Sequence, residues 1–288
     1  MNMNRLLKVL PQHLLPQHLL SAGMYRLTRL RHPRLNQLLM RGFIRRYGVD
    51  MAEAEEPDID EYPDFNSFFT RALNPEARRP DPAADAVLCP VDGRVSQLGH
   101  VREGCLLQAK GMKYTALDLL GNDPDAALHF SRGAFITLYL APRDYHRVHM
   151  PLAGTLEKMA YVPGRLFSVN PVTTANISRL FARNERVISL FHTFHGRMAV
   201  IMVGAIFVGS METVWAGQVT PAQDRSEGNW SYDHLKDPVS LDKAEEMGRF
   251  NMGSTVILLF EKKRVEWLES LKPGARVRMG EKIGKLLD

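Results

Sequence analysis

Thr255-Val256-Ile257-Leu258-Leu259-Phe260 is an unbroken apolar run opening on β-branched residues, entered through Met252-Gly253-Ser254. Six residues is strand length rather than helix length, and continuous apolarity marks a strand covered on both faces. The same pattern recurs outward from it. Residues 87–91, 135–141, 155–162, 187–194 and 198–208 are short apolar stretches between Gly, Pro and polar residues. No regular alternation of strands with long helices appears, which argues against a doubly wound fold. The expected fold is α+β and β-rich. Its core is an antiparallel β-barrel or sandwich, with helices at the N-terminus and in the 165–185 insertion.

Two turn-rich stretches, Pro90-Val91-Asp92-Gly93-Arg94-Val95 and residues 274–284, resemble hairpins of biotinyl/lipoyl-type domains, so the core is expected to be barrel-sandwich-hybrid-like. The chain of 288 residues is long enough for a large core. Its two cysteines, Cys89 and Cys105, cannot build a disulfide framework and read as buried small side chains in a reducing compartment.

Charge is unevenly spread. Residues 1–50 hold nine Lys or Arg and one acid, Asp50, so this segment is +8 in a chain whose net charge is +5. Leucine accompanies the cations, without the aromatic and Gly-rich interleaving of nucleic-acid binders, so no nucleic-acid partner is expected. Pro11, Pro16 and Pro33 break the segment into short helices, and Leu35, Leu38, Leu39, Phe43, Ile44 and Tyr47 recur at helical spacing. No apolar run reaches membrane-spanning length, and no signal-peptide layout is present. Two readings stand: amphipathic helices on an anionic bilayer, or a helical cap on the protein's own core. Residues 51–85 form an acidic linker leading to a helix over 65–73, with Asp64 as N-cap.

The densest polar stretch is Asp144-Tyr145-His146-Arg147-Val148-His149, on a loop after a strand. His146 and His149, three apart, could contribute to a metal site, but a third ligand is missing and the spacing differs from the helical pair of zinc hydrolases; no metal is assigned. Asp92 precedes Gly93 and by itself reads as a turn aspartate. Gly253-Ser254-Thr255 by itself reads as a turn entering a strand. No Gly-x-Ser-x-Gly elbow, phosphate-cradling loop or dinucleotide fingerprint occurs.

Together these stretches resemble the bacterial type of phosphatidylserine decarboxylase proenzyme. The resemblance is carried by Pro90-Val91-Asp92-Gly93, by residues 107–111 (LQAKG), 139–151 (YLAPRDYHRVHMP), 161–170 (YVPGRLFSVN), 180–187 (LFARNERV) and 212–217 (ETVWAG), and by 246–256 (EMGRFNMGSTV). It extends over most of residues 40–260. One departure is Met252, where the family usually has Leu, a swap of similar volume.

The resemblance implies self-cleavage between Gly253 and Ser254 by a set matching Asp92, His149 and Ser254, a serine triad turned once on its own backbone. Ser254 would attack the Gly253 carbonyl, and elimination and hydrolysis would leave a pyruvoyl group on the new terminus. Residues 1–253 and 254–288 would stay together as an α/β heterodimer; further dimerisation is open. The pyruvoyl group would be the Schiff-base site for phosphatidylserine and the electron sink for its decarboxylation to phosphatidylethanolamine. His146 would serve decarboxylation or substrate recognition, and Phe167, Ser168 and Val169 would line the substrate site. The expected domains are 1–50 (membrane-associating), 51–85 (linker and helix) and 86–288 (catalytic). The expected location is the cytoplasmic face of the cell membrane, held peripherally by an anionic surface. Two competing readings use the same residues: a membrane-associated Ser-His-Asp lipid hydrolase that never cuts itself, and a non-enzymatic lipoyl-like or membrane-binding domain.

Overall fold

The structure is a computed structural model that describes residues 12–207, 210–222, 226–253 and 255–287. Its centre is the strand Thr255–Phe260, buried along its whole length. It pairs antiparallel with Ala134–Tyr139 on one side and Gly196–Val203 on the other. Burial on both faces is why the stretch reads as a continuous apolar run instead of alternating.

From that strand a nine-stranded sheet spreads both ways. Beyond Gly196–Val203 come Arg186–Thr193, Gly154–Val162 and the edge strand Gly228–Ser231. Beyond Ala134–Tyr139 come Gly93–His100 and the edge strand Arg276–Val277. Ser240–Leu241 also pairs with Gly154–Val162. The path is open, so among the described residues no barrel closes; of the expected barrel or sandwich, the β-rich α+β class with antiparallel sheets is what is seen. The two stretches expected as separate hairpins instead meet each other, Arg276 opposite Arg94 and Val277 opposite Gly93. Local turn chemistry cannot distinguish a strand that folds back on its neighbour from one that pairs across the chain.

A second, four-stranded sheet runs Gly217–Gln218, Met211–Thr213, Glu246–Phe250, Arg147–His149. Two chain segments cross between the sheets. One joins Ala134–Tyr139 to Arg147–His149, and the other joins Glu246–Phe250 to Thr255–Phe260. Register holds the crossings together: Thr255 lies opposite Tyr139, and the Phe250 N–H donates to the His146 carbonyl at 2.9 Å. A third sheet, Ala86–Leu88, Lys282–Leu286, Val265–Trp267, ties the C-terminal region to the middle of the chain.

Within the described residues the N-terminal region is helical, with Gln17–Thr28 and Pro33–Tyr47; the part of the expected segment before residue 12 lies outside them. The helix Pro33–Tyr47 starts with Pro at its first position, capped by His32, and ends on Gly48 at φ 69°, a left-handed stop suited to glycine. Its Met40 and Phe43 pack on Phe65, Phe68 and Phe69 in a second, smaller core. Those phenylalanines lie on the short helix Phe65–Phe69, whose N-cap is Asp64, accepting from the Ser67 N–H at 2.8 Å. The 165–185 insertion contributes only two single turns, Pro171–Thr174 and Leu180–Arg183. Among the described residues no helix is long and apolar enough to cross a membrane. Cys89 is buried, whereas Cys105 is only partly so.

Candidate active site

The two crossings between the sheets place His146 beside Gly253. A side chain starting on Gly253 would meet the His146 Nε2 at 3.2 Å and the Leu140 carbonyl at 3.5 Å. His146 is fully buried. Its Nδ1 lies 2.6 Å from the Asp144 carbonyl oxygen, which can only accept, so Nδ1 carries the hydrogen and Nε2 keeps a lone pair. Among the described residues that Nε2 is buried without a partner. The ring rests on Phe69 at a centroid distance of 4.1 Å. Burial, helped by the Arg71 charge, lowers its pKa to about 3, so the imidazole is neutral at physiological pH.

His149 sits on the Arg147–His149 strand, opposite Glu246. Its Nδ1–H donates to the Ala244 carbonyl at 2.8 Å, and its Nε2 accepts from the Tyr145 hydroxyl at 2.9 Å. Burial lowers its pKa. Both histidines thus carry a hydrogen on Nδ1; among the described residues the Nε2 of His146 has no partner, whereas that of His149 has Tyr145.

Asp92 is buried at the entrance to the Gly93–His100 strand. Gly93 must be glycine here, because a Cβ would run into the Tyr139 carbonyl oxygen. The Asp92 carboxylate accepts from Arg78 at 3.0 Å (Nε) and 2.5 Å (Nη2), and from the Met279 N–H at 2.8 Å. Arg78 in turn pairs with Glu53 at 2.7 Å, which lowers the Glu53 pKa. The backbone brings Asp92 and His149 into one region, since the His149 N–H donates to the Pro90 carbonyl at 2.9 Å. No hydrogen bond or ion pair joins their side chains. Ser254 itself lies outside the described residues.

A cavity of about 270 Å³ opens onto Gly253. Ser168 and Val169 line it, together with Tyr139, Leu140, Pro142, Met252, and Phe43 and Tyr47 of the Pro33–Tyr47 helix. Phe167 is fully buried and is not in that wall; the Arg183 guanidinium stacks on its ring at 4.9 Å. Arg78, Phe69 and Tyr47 were not singled out from the sequence. Arg78 and Phe69 gave no signal beyond their place in a Pro-rich loop and a short helix. Tyr47 gave only its helical spacing. Among the described residues no three His, Cys, Asp or Glu side chains gather as a metal site.

Comparison with known proteins fits this architecture. Residues 65–285 match the sequence profile of a family described as phosphatidylserine decarboxylase, and residues 7–48 match a second, described as PSD. A relative from Nitrosococcus oceani is 54% identical over 276 residues, covering 96% of this chain and 90% of its own length. One from Azotobacter vinelandii is 51% identical, covering 96% and 97%. One from Pseudomonas entomophila is 56% identical, covering 84% of each. All three are named phosphatidylserine decarboxylase proenzyme. A β-rich protein with a histidine-lined buried centre thus falls in a class of carboxy-lyases. The chain belongs to the phosphatidylserine decarboxylase family.

Proposed function

We propose that this chain decarboxylates phosphatidylserine to phosphatidylethanolamine, after cutting itself between Gly253 and Ser254. Family membership carries the reaction. The observation that supports the location is the Nε2 of His146, buried beside Gly253 without a partner among the described residues, with Gly253 itself on the wall of an apolar cavity. An orphaned acceptor buried beside a backbone bond is costly unless something there donates to it.

Ser254 is assigned as nucleophile and, after the cut, as the source of a pyruvoyl group, which supplies an electron sink for loss of carbon dioxide. His149 and Asp92 are assigned to the cut. Asp92 acts on His149 through its field, because Arg78 and Met279 hold its oxygens. Tyr145 holds the His149 ring in place. His146 is assigned to decarboxylation or substrate recognition: its neutral ring can accept a hydrogen bond from the substrate at Nε2 and so orient the reacting group. Ser168 and Val169 shape the cavity, whereas Phe167 supports it from behind.

The cut leaves chains 1–253 and 254–288 as a heterodimer. Thr255–Phe260 keeps both of its neighbours, and Lys282–Leu286 keeps Ala86–Leu88, so the short chain stays woven into the long one. The protein is assigned to an anionic membrane surface, held peripherally at the cytoplasmic face. Leu14, Leu15, Leu19, Leu30 and Leu38 are exposed on or beside the N-terminal helices, among their arginines.

Intact mass before and after borohydride reduction tests the reading. The expected result is two chains, the shorter starting at residue 254 without an amino group and gaining hydrogen on reduction. A full-length active chain would instead support the lipid-hydrolase reading.

A further inference from the structure

A second cavity, of about 50 Å³, lies next to the one that opens onto Gly253. The same three segments wall both. Tyr47 lines the first and Gly48 the second; Phe69 the first and Arg71 the second; Pro142 the first and Arg143 the second. The first is apolar in its lining, the second polar. His146 is tied to both walls, its ring resting on Phe69 of the first cavity and its imidazole lying within the field of Arg71 of the second. An amphiphile is the kind of molecule that fits such a pair.

Four acids balance four arginines around the small cavity, and the acids are occupied. Asp92 accepts from Arg78 and the Met279 N–H, and Glu53 pairs with Arg78. Asp144 accepts from the Ala141 N–H at 2.7 Å, with Arg143 at 3.8 Å. Asp50 accepts from the Ala52 N–H at 3.0 Å. Arg71 differs. It is 5% exposed, its Nε is buried without an acceptor, and its guanidinium makes no ion pair or side-chain hydrogen bond among the described residues. Its charged group rests near the Phe68 ring, 5.5 Å from the centroid. A buried guanidinium nitrogen with no acceptor is expensive to keep. Burial accordingly pushes its pKa down.

We propose that Arg71 is a substrate-binding residue that takes the phosphodiester of the lipid headgroup in the small cavity, positioning the serine moiety beside His146 and Gly253. This rests on the placement of the catalytic centre at Gly253-Ser254. Two anionic groups of the substrate could meet a guanidinium, and the chemistry selects between them. The carboxylate loses its charge as carbon dioxide departs, so a cation on it would stabilise the ground state more than the transition state. The phosphodiester keeps its charge throughout and offers two oxygens to the guanidinium fork. Arg71 therefore binds without opposing the reaction.

The parent protein is first shown by mass to be the two-chain form, so that failure of the cut-site placement appears in the parent and failure of the Arg71 assignment only in variants. Arg71→Gln and Arg71→Lys are then compared in detergent–phosphatidylserine micelles, with glycerophosphoethanolamine, L-serine and inorganic phosphate as separate inhibitors. For Arg71→Gln the expected result is a KM raised about 10- to 100-fold, the scale of one charge-assisted contact. Its kcat should change far less, inhibition by glycerophosphoethanolamine should be lost, and Arg71→Lys should recover part of the KM.

An unchanged KM in Arg71→Gln overturns the proposal. Selective loss of L-serine inhibition overturns it in favour of the carboxylate. A response confined to inorganic phosphate reassigns the cavity to a free anion and overturns it too. If Arg71→Lys is as uncut or unfolded as Arg71→Gln, Arg71 is structural and the proposal fails.

Discussion

The free Nε2 of His146 lies 3.2 Å from the point where a side chain would begin on Gly253. A side chain on the amino side of the proposed cut would thus be crowded, and the φ of Gly253 is not in the left-handed region. Gly253→Ala would push the His146 ring against Phe69, with the Leu140 carbonyl 3.5 Å away on the other contact. About 1 kcal/mol of such strain would slow self-cleavage several-fold. A time course on denaturing gels checks this, and a wild-type rate would show that the ring yields freely.

The two histidines separate by variant. His149→Ala and Ser254→Ala are expected to stay uncut, whereas His146→Ala is expected to cut and then fail to decarboxylate. Tyr145→Phe removes the hydroxyl that holds the His149 Nε2 and should slow cleavage by roughly tenfold, as a misoriented base does. If His146→Ala is the variant that stays whole, the base for the cut is His146 and the assignments exchange.

Asp92 has a structural task besides any chemical one. Its ion pair with Arg78 is almost closed to solvent, the side chains being 4% and 9% exposed. Asp92→Ala leaves Arg78 with Glu53 alone and should cost about 3–5 kcal/mol. Urea unfolding of the uncut chain, with Ser254→Ala as the parent background, measures the loss directly. A loss below ~1 kcal/mol would mean that Glu53 and water replace the pair.

Acid should act on stability through His146. Its folded pKa of about 3 lies below the ordinary value of 6.5, so between those limits the unfolded chain binds a proton that the folded chain does not. Stability then falls as pH drops from about 6.5 toward 3, by up to ~1.4 kcal/mol per pH unit from this ring. His146→Gln should flatten the pH dependence by that slope, measured as unfolding midpoints in urea. Activity, for its part, should show no protonation of His146 near pH 6.5.

The exposed leucines give the membrane assignment its test. Leu14 and Leu19 are 77% and 72% exposed. Replacing both by Ser should weaken sedimentation with anionic vesicles by at least tenfold, at about 1 kcal/mol or more per buried leucine. Activity on detergent-dispersed substrate should be spared. Equal binding by the double variant would leave the N-terminal helices as a cap.

Much of this architecture could be read before any coordinates. Apolar runs and turn residues placed the main strands to within a few residues, and Asp64 announced its helix, because both signals are local. The Arg78–Asp92 pair was not legible. Arg78 sits in a Pro-rich loop with no periodicity, and nothing in spacing says that it closes on a residue 14 positions away. Likewise, two histidines three apart look equivalent in sequence. Only the crossing of two segments between sheets decides that His146 faces Gly253 while His149 turns to Ala244 and Tyr145. Pairing of residues 93–94 with 276–277 was hidden for the same reason: its partners are far apart along the chain.

The strand Thr255–Phe260 has a consequence for how the molecule must be made. It is the middle of the large sheet, yet after the proposed cut it would belong to a 35-residue piece (residues 254–288). Its partners are residues 134–139 and 196–203, so assembly depends on long-range pairing that a continuous chain favours through high effective concentration. On the proposed cut, the bond between residues 253 and 254 would have to survive until the sheet is complete. Once it is gone, a denatured molecule has two fragments that must find each other at the dilution of the solution. The cut protein would function, but it would have discarded the instruction needed to fold a second time.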